Sequence, residues 1–190
     1  MNTRFLSIFA IVAAVVLLCL VTPAARAALS SSVQVTVASD FTASLGLSNP
    51  RDKLNLTVSR PFGNGTDTAQ ADLVWHDSRT LTSGANESLD LAGTLTDAFG
   101  TTVTFAKVKS LVIENTSASM TITIGGAAAN GFATFVGAAA NTIVLPPLGV
   151  LVLVSPTGFA VTAGTADLLK ITNSSGSSTV YRIWINGSSQ

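Results

Sequence analysis

Apolar residues alternate with polar residues in several separate segments of this chain, and this two-residue period constrains the fold more than any other feature. The apolar positions of four such segments are Val33, Val35 and Val37; Leu54, Leu56 and Val58; Met120, Ile122 and Ile124; and Tyr181, Ile183 and Ile185. Because successive side chains of a strand point to opposite faces, the pattern predicts half-buried β-strands. No stretch has a sustained 3.6-residue apolar period, and residues 89–99 offer one helical turn at most.

Two further segments are richer in apolar residues, and they predict more deeply buried strands. In residues 101–114 the apolar phase slips by one position, which predicts a bulge or a break near residues 106–110. Residues 143–154 are interrupted by the Pro-Pro-Leu-Gly sequence at residues 146–149, so they predict two short buried strands joined by a turn.

Clusters of Gly, Asn, Pro and Ser separate the predicted strands. They lie at residues 49–50, 63–65, 83–84, 125–126, 155–158 and 174–176. Short strands punctuated by such turns predict an all-β fold, namely a single β-sandwich of the jelly-roll type. No internal repeat or long linker interrupts the chain, so residues 28–190 are predicted to form one domain.

The N-terminus has the pattern of a secretory signal peptide. Arg4 precedes an uncharged apolar run over residues 5–21, and Ala25-Arg26-Ala27 forms a small-x-small cleavage site before Ala28. Residues 1–27 are therefore predicted to be a signal peptide, which directs the protein to the periplasm or the extracellular space. The alternatives are an uncleaved membrane anchor and a misassigned start codon. After cleavage no segment is expected to enter a membrane.

Composition excludes several functional classes. Charged residues make up only 11% of the chain, and the ten basic residues balance the ten acidic ones. Loss of Arg4 and Arg26 with the signal leaves eight basic residues against ten acidic ones, a net charge of −2. A basic surface for nucleic acid is therefore not expected. Cys19 is the only cysteine, so the exported chain would contain no disulfide and no thiolate ligand or nucleophile.

The residues capable of catalysis do not form a recognisable constellation. His76 is the only histidine and precedes Asp77 and Ser78, but neighbouring residues on a strand point to opposite faces and could not share the hydrogen bond of a triad. Residues 64–72 contain oxygen ligands without the spacing of a calcium loop, so we interpret them as a turn. We predict no catalytic, cofactor-binding or metal-binding residue and no enzymatic activity. Lys107 and Lys109 are interpreted as a solvated strand edge.

The order of several segments resembles a known group of proteins. The segments are Ala69–Asp72, Trp75–Leu81, Leu89–Gly100, Val103–Lys109, Gly125–Ala128, Pro146–Leu151 and Ala160–Lys170. Their order is similar to that of a family of small, uncharacterised β-rich proteins encoded by tailed bacteriophages and prophages. The resemblance implies a virion-structural setting rather than an activity. Virion proteins normally carry no signal peptide, so either a cell has recruited the domain for export or the start codon is misassigned.

These observations lead to two hypotheses about function. The first is a non-enzymatic structural protein that self-assembles or joins other structural proteins, resembling a capsid- or tail-associated virion component. Low charge favours it, because surfaces poor in Lys and Glu lose little hydration on packing together. The second is a secreted cell-surface or matrix β-sandwich that binds a glycan or a protein. The candidate interface residues are Trp75, His76, Arg79, Tyr181 and Trp184.

Overall fold

The structure, a computed structural model, describes residues 28–190 and contains thirteen β-strands. The strands are β1 (Ser31–Thr42), β2 (Arg51–Asn64), β3 (Gln70–Ala71), β4 (Leu73–Leu81), β5 (Asn86–Asp90), β6 (Leu95–Thr96), β7 (Thr102–Val103), β8 (Lys107–Asn115), β9 (Ile122–Gly125), β10 (Thr142–Leu145), β11 (Val150–Ala160), β12 (Leu168–Asn173) and β13 (Thr179–Ser188). The predicted signal peptide, with Cys19, lies outside the described residues. No helix capable of crossing a bilayer occurs between residues 28 and 190.

Eight of these strands form two antiparallel four-stranded sheets, and the chain is therefore an all-β sandwich as predicted. One sheet has the order β11-β8-β13-β4 and the other has the order β10-β9-β12-β5. The antiparallel strand pairs are nested inside one another along the sequence. β4 pairs with β13, β5 with β12, β8 with β11 and β9 with β10, so the first of the eight strands meets the last.

The core lies between the two sheets and is built from the inward positions of the alternating strands. Ile122 and Ile124 of β9 face Tyr181, Ile183 and Ile185 of β13 across this core, and all five side chains are buried. The alternation therefore predicted these two strands correctly. Leu89, Leu91, Phe105, Leu111, Ile113, Phe132, Leu169 and Ile171 belong to the same cluster.

The phase slip in residues 101–114 is a break followed by a bulge. The segment forms β7 and β8, which are separated at residues 104–106. Within β8, Ser110 pairs with Asn186 but Val108 pairs with Gly187, so Lys109 is the extra residue between them. The predicted irregularity near residues 106–110 is confirmed.

The two strands predicted in residues 143–154 exist, but they are edge strands of different sheets. The turn between β10 and β11 places Leu148 at a positive φ of 58°. Val144, Val150 and Val152 are exposed, and in the strand residues of this segment only Leu145 is fully buried, so the prediction that both strands are buried is wrong. Each strand has a neighbour on only one side and a sheet above only one face, which leaves the other face to solvent.

Candidate interaction surface

The first two strands form a long hairpin that leaves the sandwich. All residues from 34 to 61 are exposed except the half-buried Ala43. We call residues 34–61 the arm and residues 62–190 the body. The sequence predicted half-buried strands at Val33–Val37 and Leu54–Val58; the strands are confirmed, but the predicted burial is wrong for the arm. The alternation is present, but beyond Val33 no sheet of the body covers its apolar face.

The register of the arm sorts its side chains into one apolar and one polar face. Val35 pairs with Val58, Val37 with Leu56 and Ser39 with Leu54. Because paired residues in an antiparallel ladder share a face, these six form one continuous uncharged surface. Phe41 and Asp52 continue the same face towards the tip, and Val33 and Arg60 continue it towards the body.

The apolar face of the arm is open to solvent over its whole projecting length. Its six large apolar side chains, Val35, Val37, Phe41, Leu54, Leu56 and Val58, are between 40% and 72% exposed. Leu45 and Leu47 at the tip are exposed as well. An apolar surface of this extent on a monomer is typical of an interaction site.

The opposite face of the arm is polar and internally paired. Thr36 lies 3.2 Å from Thr57 between their hydroxyl oxygens. Arg51 donates two hydrogen bonds to the carboxylate of Asp40, and Lys53 lies 3.9 Å from the same carboxylate. The Arg51 guanidinium lowers the pKa of Asp40 below its usual range. These charges satisfy one another, so the polar face has less to gain from a partner than the apolar face.

The base of the arm is fixed on the outer face of the β11-β8-β13-β4 sheet. Val33, Phe62 and Ala71 form a small buried cluster, against which Leu29, Val154 and Trp184 pack. The side-chain amide of Asn186 donates a hydrogen bond of 2.7 Å to the Ser31 hydroxyl, beside this cluster. The arm therefore has a defined point of departure from the body.

Lys109, the bulged residue of β8, ties the loop after the arm to the same sheet. Its side chain is 1% exposed, so the expectation of a solvated strand edge is wrong. Its ammonium group donates hydrogen bonds to the carbonyl oxygens of Asp67 at 2.6 Å, Pro156 at 3.3 Å and Thr66 at 3.5 Å. Burial, together with the charge of Lys107, lowers the pKa of Lys109.

The loop at residues 64–72 has a structural role that this lysine explains. The candidate ligand oxygens of Asn64 and Asp72 already accept hydrogen bonds, from the Leu29 amide and from Ser189 respectively. The carbonyl oxygens of Thr66 and Asp67 accept from the Lys109 ammonium. Among residues 28–190, no three His, Cys, Asp or Glu side chains lie close enough together to hold a metal ion.

The candidate interface aromatics do not form an exposed rim. Trp75 is 4% exposed and Tyr181 is fully buried, because both point into the core between the sheets. The expectation that they are accessible to a ligand is therefore wrong. Trp184 points to the outer face of its sheet, where it is half-buried against the base of the arm. It supports the arm rather than offering a free platform.

His76 and Arg79 lie on opposite faces of β4. His76 pairs with Trp184 on the outer face and is exposed. Arg79 donates hydrogen bonds to Glu87 at 2.7 Å and to Asp77 at 2.9 Å, and Tyr181 donates one of 2.9 Å to Glu87. Because Glu87 lies in β5, this network joins the edges of the two sheets. Asp77 is thus engaged by Arg79, and strand alternation separates it from His76 as the sequence predicted.

The network shifts two pKa values in the direction expected for a structural role. The hydrogen bond to Glu87 raises the pKa of Arg79, and burial followed by the negative charge of Glu87 raises the pKa of Tyr181. Both side chains are thereby held in the form that donates the hydrogen bonds. Neither is poised to exchange a proton near neutral pH, so the cluster fits a clamp between sheets better than an acid–base site.

Comparison with known proteins adds no relative to this picture. No family model matches the chain, and the searches found neither a similar curated protein nor a similar solved structure. The resemblance to phage-encoded β-rich proteins stays a prediction. What the chain does is therefore inferred from the geometry of its own residues, above all from the arm.

Proposed function

We propose that this protein is a non-enzymatic structural component that assembles with copies of itself, resembling a virion protein of tailed phages. The observation that carries the proposal is the exposed apolar face of the arm. Exposing such a face costs free energy in a monomer, and packing it against another protein surface recovers it. A two-stranded ribbon is also marginal by itself, and a partner stabilises it.

The strand order supports a finer assignment of the fold. Nested pairing of eight strands into two four-stranded sheets is what two Greek keys produce when a long antiparallel ribbon is wound into a jelly roll. Viral capsid domains use this fold, but so do lectins and cupins. The jelly-roll assignment therefore agrees with the proposal without deciding it, because function follows from sites rather than folds.

The proposed setting is export followed by assembly outside the cytoplasm, in the periplasm or the extracellular space. The signal-like pattern before Ala28 supports export, and a chain without cysteine would assemble there without disulfide chemistry. Mass spectrometry of the N-terminus of protein from its native source tests this step. An N-terminus at Ala28 is expected. An intact N-terminus in a protein that copurifies with virions would overturn export and leave the virion role.

The alternative, a module that binds glycans, receives less support from the residues. Glycan sites commonly stack sugars on exposed aromatic rings, but Trp75 and Tyr181 are buried and Trp184 packs under the arm. His76 and Arg182 line a shallow depression with Thr96 and Asp97. Trp75 borders this depression, but its side chain is only 4% exposed and offers little ring surface for stacking.

Self-association is tested by measuring the mass of the protein in solution over a range of concentrations. We expect multi-angle light scattering to show a mass that rises with concentration, from one chain to a defined oligomer. A strict monomer at high micromolar concentration would contradict the proposal.

A further inference from the structure

We propose that the arms of two copies of this chain pack antiparallel through their apolar faces and form a symmetric dimer. The inference rests on the proposed function, since it names the partner and the geometry of self-association. It starts from the pattern of residues along the apolar face, which the β1–β2 register defines.

The apolar face reads as five successive pairs of residues, and this order is self-complementary. From base to tip the pairs are Val33/Arg60, Val35/Val58, Val37/Leu56, Ser39/Leu54 and Phe41/Asp52. A two-fold axis that lies in the interface, runs perpendicular to the arm and passes through the middle pair places Val37 on the partner's Val37 and Leu56 on the partner's Leu56. The same axis places Val58 on the partner's Leu54 and Val35 on the partner's Ser39.

The two charges on this face meet opposite charges in the dimer. Arg60 and Asp52 both lie on β2, at equal distances on either side of Leu56. The two-fold axis therefore brings Arg60 of each chain against the partner's Asp52. None of the ion pairs among residues 28–190 involves Arg60 or Asp52, whereas Arg51, Lys53 and Asp40 on the polar face are paired. The unpaired charges lie where the partner supplies the opposite sign.

A parallel arrangement of the two arms would not bring these opposite charges together. An axis along the arm would set Arg60 over the partner's Val33 and Asp52 over the partner's Phe41, so that each charge faces an apolar group. It would also bring both bodies to the same end of the arms. In the antiparallel arrangement the bodies lie at opposite ends of the paired arms.

The available area is what a dimer of moderate affinity needs. The six exposed apolar side chains of one arm offer about 100 Å² each, and the twelve of two arms bring about 1,200 Å² to the interface, at the lower end of the range for specific complexes. We therefore expect reversible dimerisation rather than an obligate dimer.

The experiment reverses each charge separately and then mixes the two variants. Protein recovered from an exporting host, with its N-terminus determined, is studied by sedimentation and native mass spectrometry. Asp52→Arg gives a chain with two positive positions, and Arg60→Asp gives one with two negative positions. Each variant alone is expected to dimerise more weakly by about tenfold or more, because like charges now meet twice. A mixture of the two is expected to form a heterodimer with nearly the affinity of the unaltered chain.

Matched controls lie on the other face of the same strand. Lys53→Glu reverses a charge next to Asp52 on the polar face and is expected to leave dimerisation unchanged. Leu56→Asp puts a charge on the two-fold axis and is expected to abolish it, whereas Asn55→Asp on the polar face is not. Circular dichroism confirms that each variant is folded.

Three results would count against the inference, and they separate it from the proposed function. Single variants that dimerise like the unaltered chain, or a mixture no better than its components, would overturn the antiparallel pairing and leave self-association standing. A monomer that retains residues 5–21 would overturn the pairing and assign the apolar face to that segment. A monomer starting at Ala28, at high micromolar concentration, would overturn both.

Discussion

The side chain of Lys109 connects three parts of the chain at one point. It lies in the bulge of β8 and reaches carbonyl oxygens of the loop after the arm and of β11. A buried ammonium group is costly unless such acceptors surround it. The sequence showed the slip in apolar phase but not where the extra residue would point, because that depends on the loop packed above it.

We expect Lys109→Met to destabilise the protein by about 2 kcal/mol, since the carbonyl oxygens of Thr66, Asp67 and Pro156 lose their common donor while the aliphatic chain is retained. Lys107→Met, in the same strand but half-exposed, is the control and is expected to cost less than about 0.5 kcal/mol. Urea denaturation of both variants measures the difference. Equal stability of the two would show that the buried contacts contribute nothing.

Tyr181 gives a prediction that depends on pH. Removing its hydroxyl group in Tyr181→Phe loses the hydrogen bond to Glu87 and is expected to cost about 1–2 kcal/mol at pH 7. The pKa of Tyr181 is raised in the folded protein. Above pH 10 the unfolded chain therefore releases this proton first, and the unaltered protein loses stability as the pH rises. The difference between the two proteins should shrink by up to about 1.4 kcal/mol per pH unit.

Denaturation curves of both proteins between pH 7 and 11 test this expectation. Other groups titrate in the same range, but they are common to both proteins and cancel in the difference. A difference that stays constant above pH 10 would show that Tyr181 ionises as readily in the folded state as in the unfolded state.

At the scale of the elements, the contact between β8 and β13 depends on a glycine. Gly187 follows the point where the register shifts, and a Cβ atom there would lie 2.1 Å from the carbonyl oxygen of Lys107 and 2.8 Å from Cδ1 of Phe105. One of these neighbours is a backbone atom and the other belongs to a buried aromatic ring, so neither can easily move aside for the added methyl group. Close approach of two strands at a bulge is a characteristic use of glycine.

Gly187→Ala is therefore expected to destabilise the protein by about 3 kcal/mol through overpacking. Gly46 at the tip of the arm has nothing within 4 Å of the position of a Cβ atom, and Gly46→Ala serves as the matched control with no loss expected. Thermal denaturation compares the two variants. A Gly187→Ala protein as stable as the control would mean that the two strands separate at little cost.

The elements differ in how well the sequence predicts them. Two short alternating segments were predicted correctly: the side chains of Ile122 and Ile124 in β9, and of Ile183 and Ile185 in β13, are buried in the core because a second sheet faces them. Val35 and Val37, or Leu54 and Leu56, alternate equally well but face solvent. The alternation along a strand shows which side chains share a face but not what covers that face. The pattern therefore could not predict that the apolar face of the arm is exposed. Its signal was the pair of apolar segments flanking a single turn at Asn49-Pro50, which predicts a hairpin.

At the scale of the molecule, the arm and the body should behave as separate units of stability. The arm touches the body only at its base, whereas the body has a continuous core between two sheets. Replacing residues 36–57 by Asn-Gly keeps the Val35–Val58 pair and closes it with a two-residue turn. We expect the free energy of unfolding of the monomeric body to change by less than about 1 kcal/mol.

Denaturation at low concentration measures this change, and sedimentation of the same variant at high concentration should show that self-association is lost. Replacing only the tip, residues 44–49, by the same two residues controls for the new turn and should preserve self-association. A large loss of stability in the shortened protein would show that the arm is part of the cooperative unit.

The nesting of the strand pairs has a consequence for the order in which the chain is made. Among the strands of residues 28–190, β4 has one sheet neighbour, β13 (Thr179–Ser188), which separates β4 from β8. A chain that emerges gradually from a ribosome therefore cannot close this sheet until residues 179–188 have emerged. Pairing between such distant segments is slow to form. Until then β4 stays unpaired, and a product that stops short of Thr179 would lack the strand that joins β4 to β8.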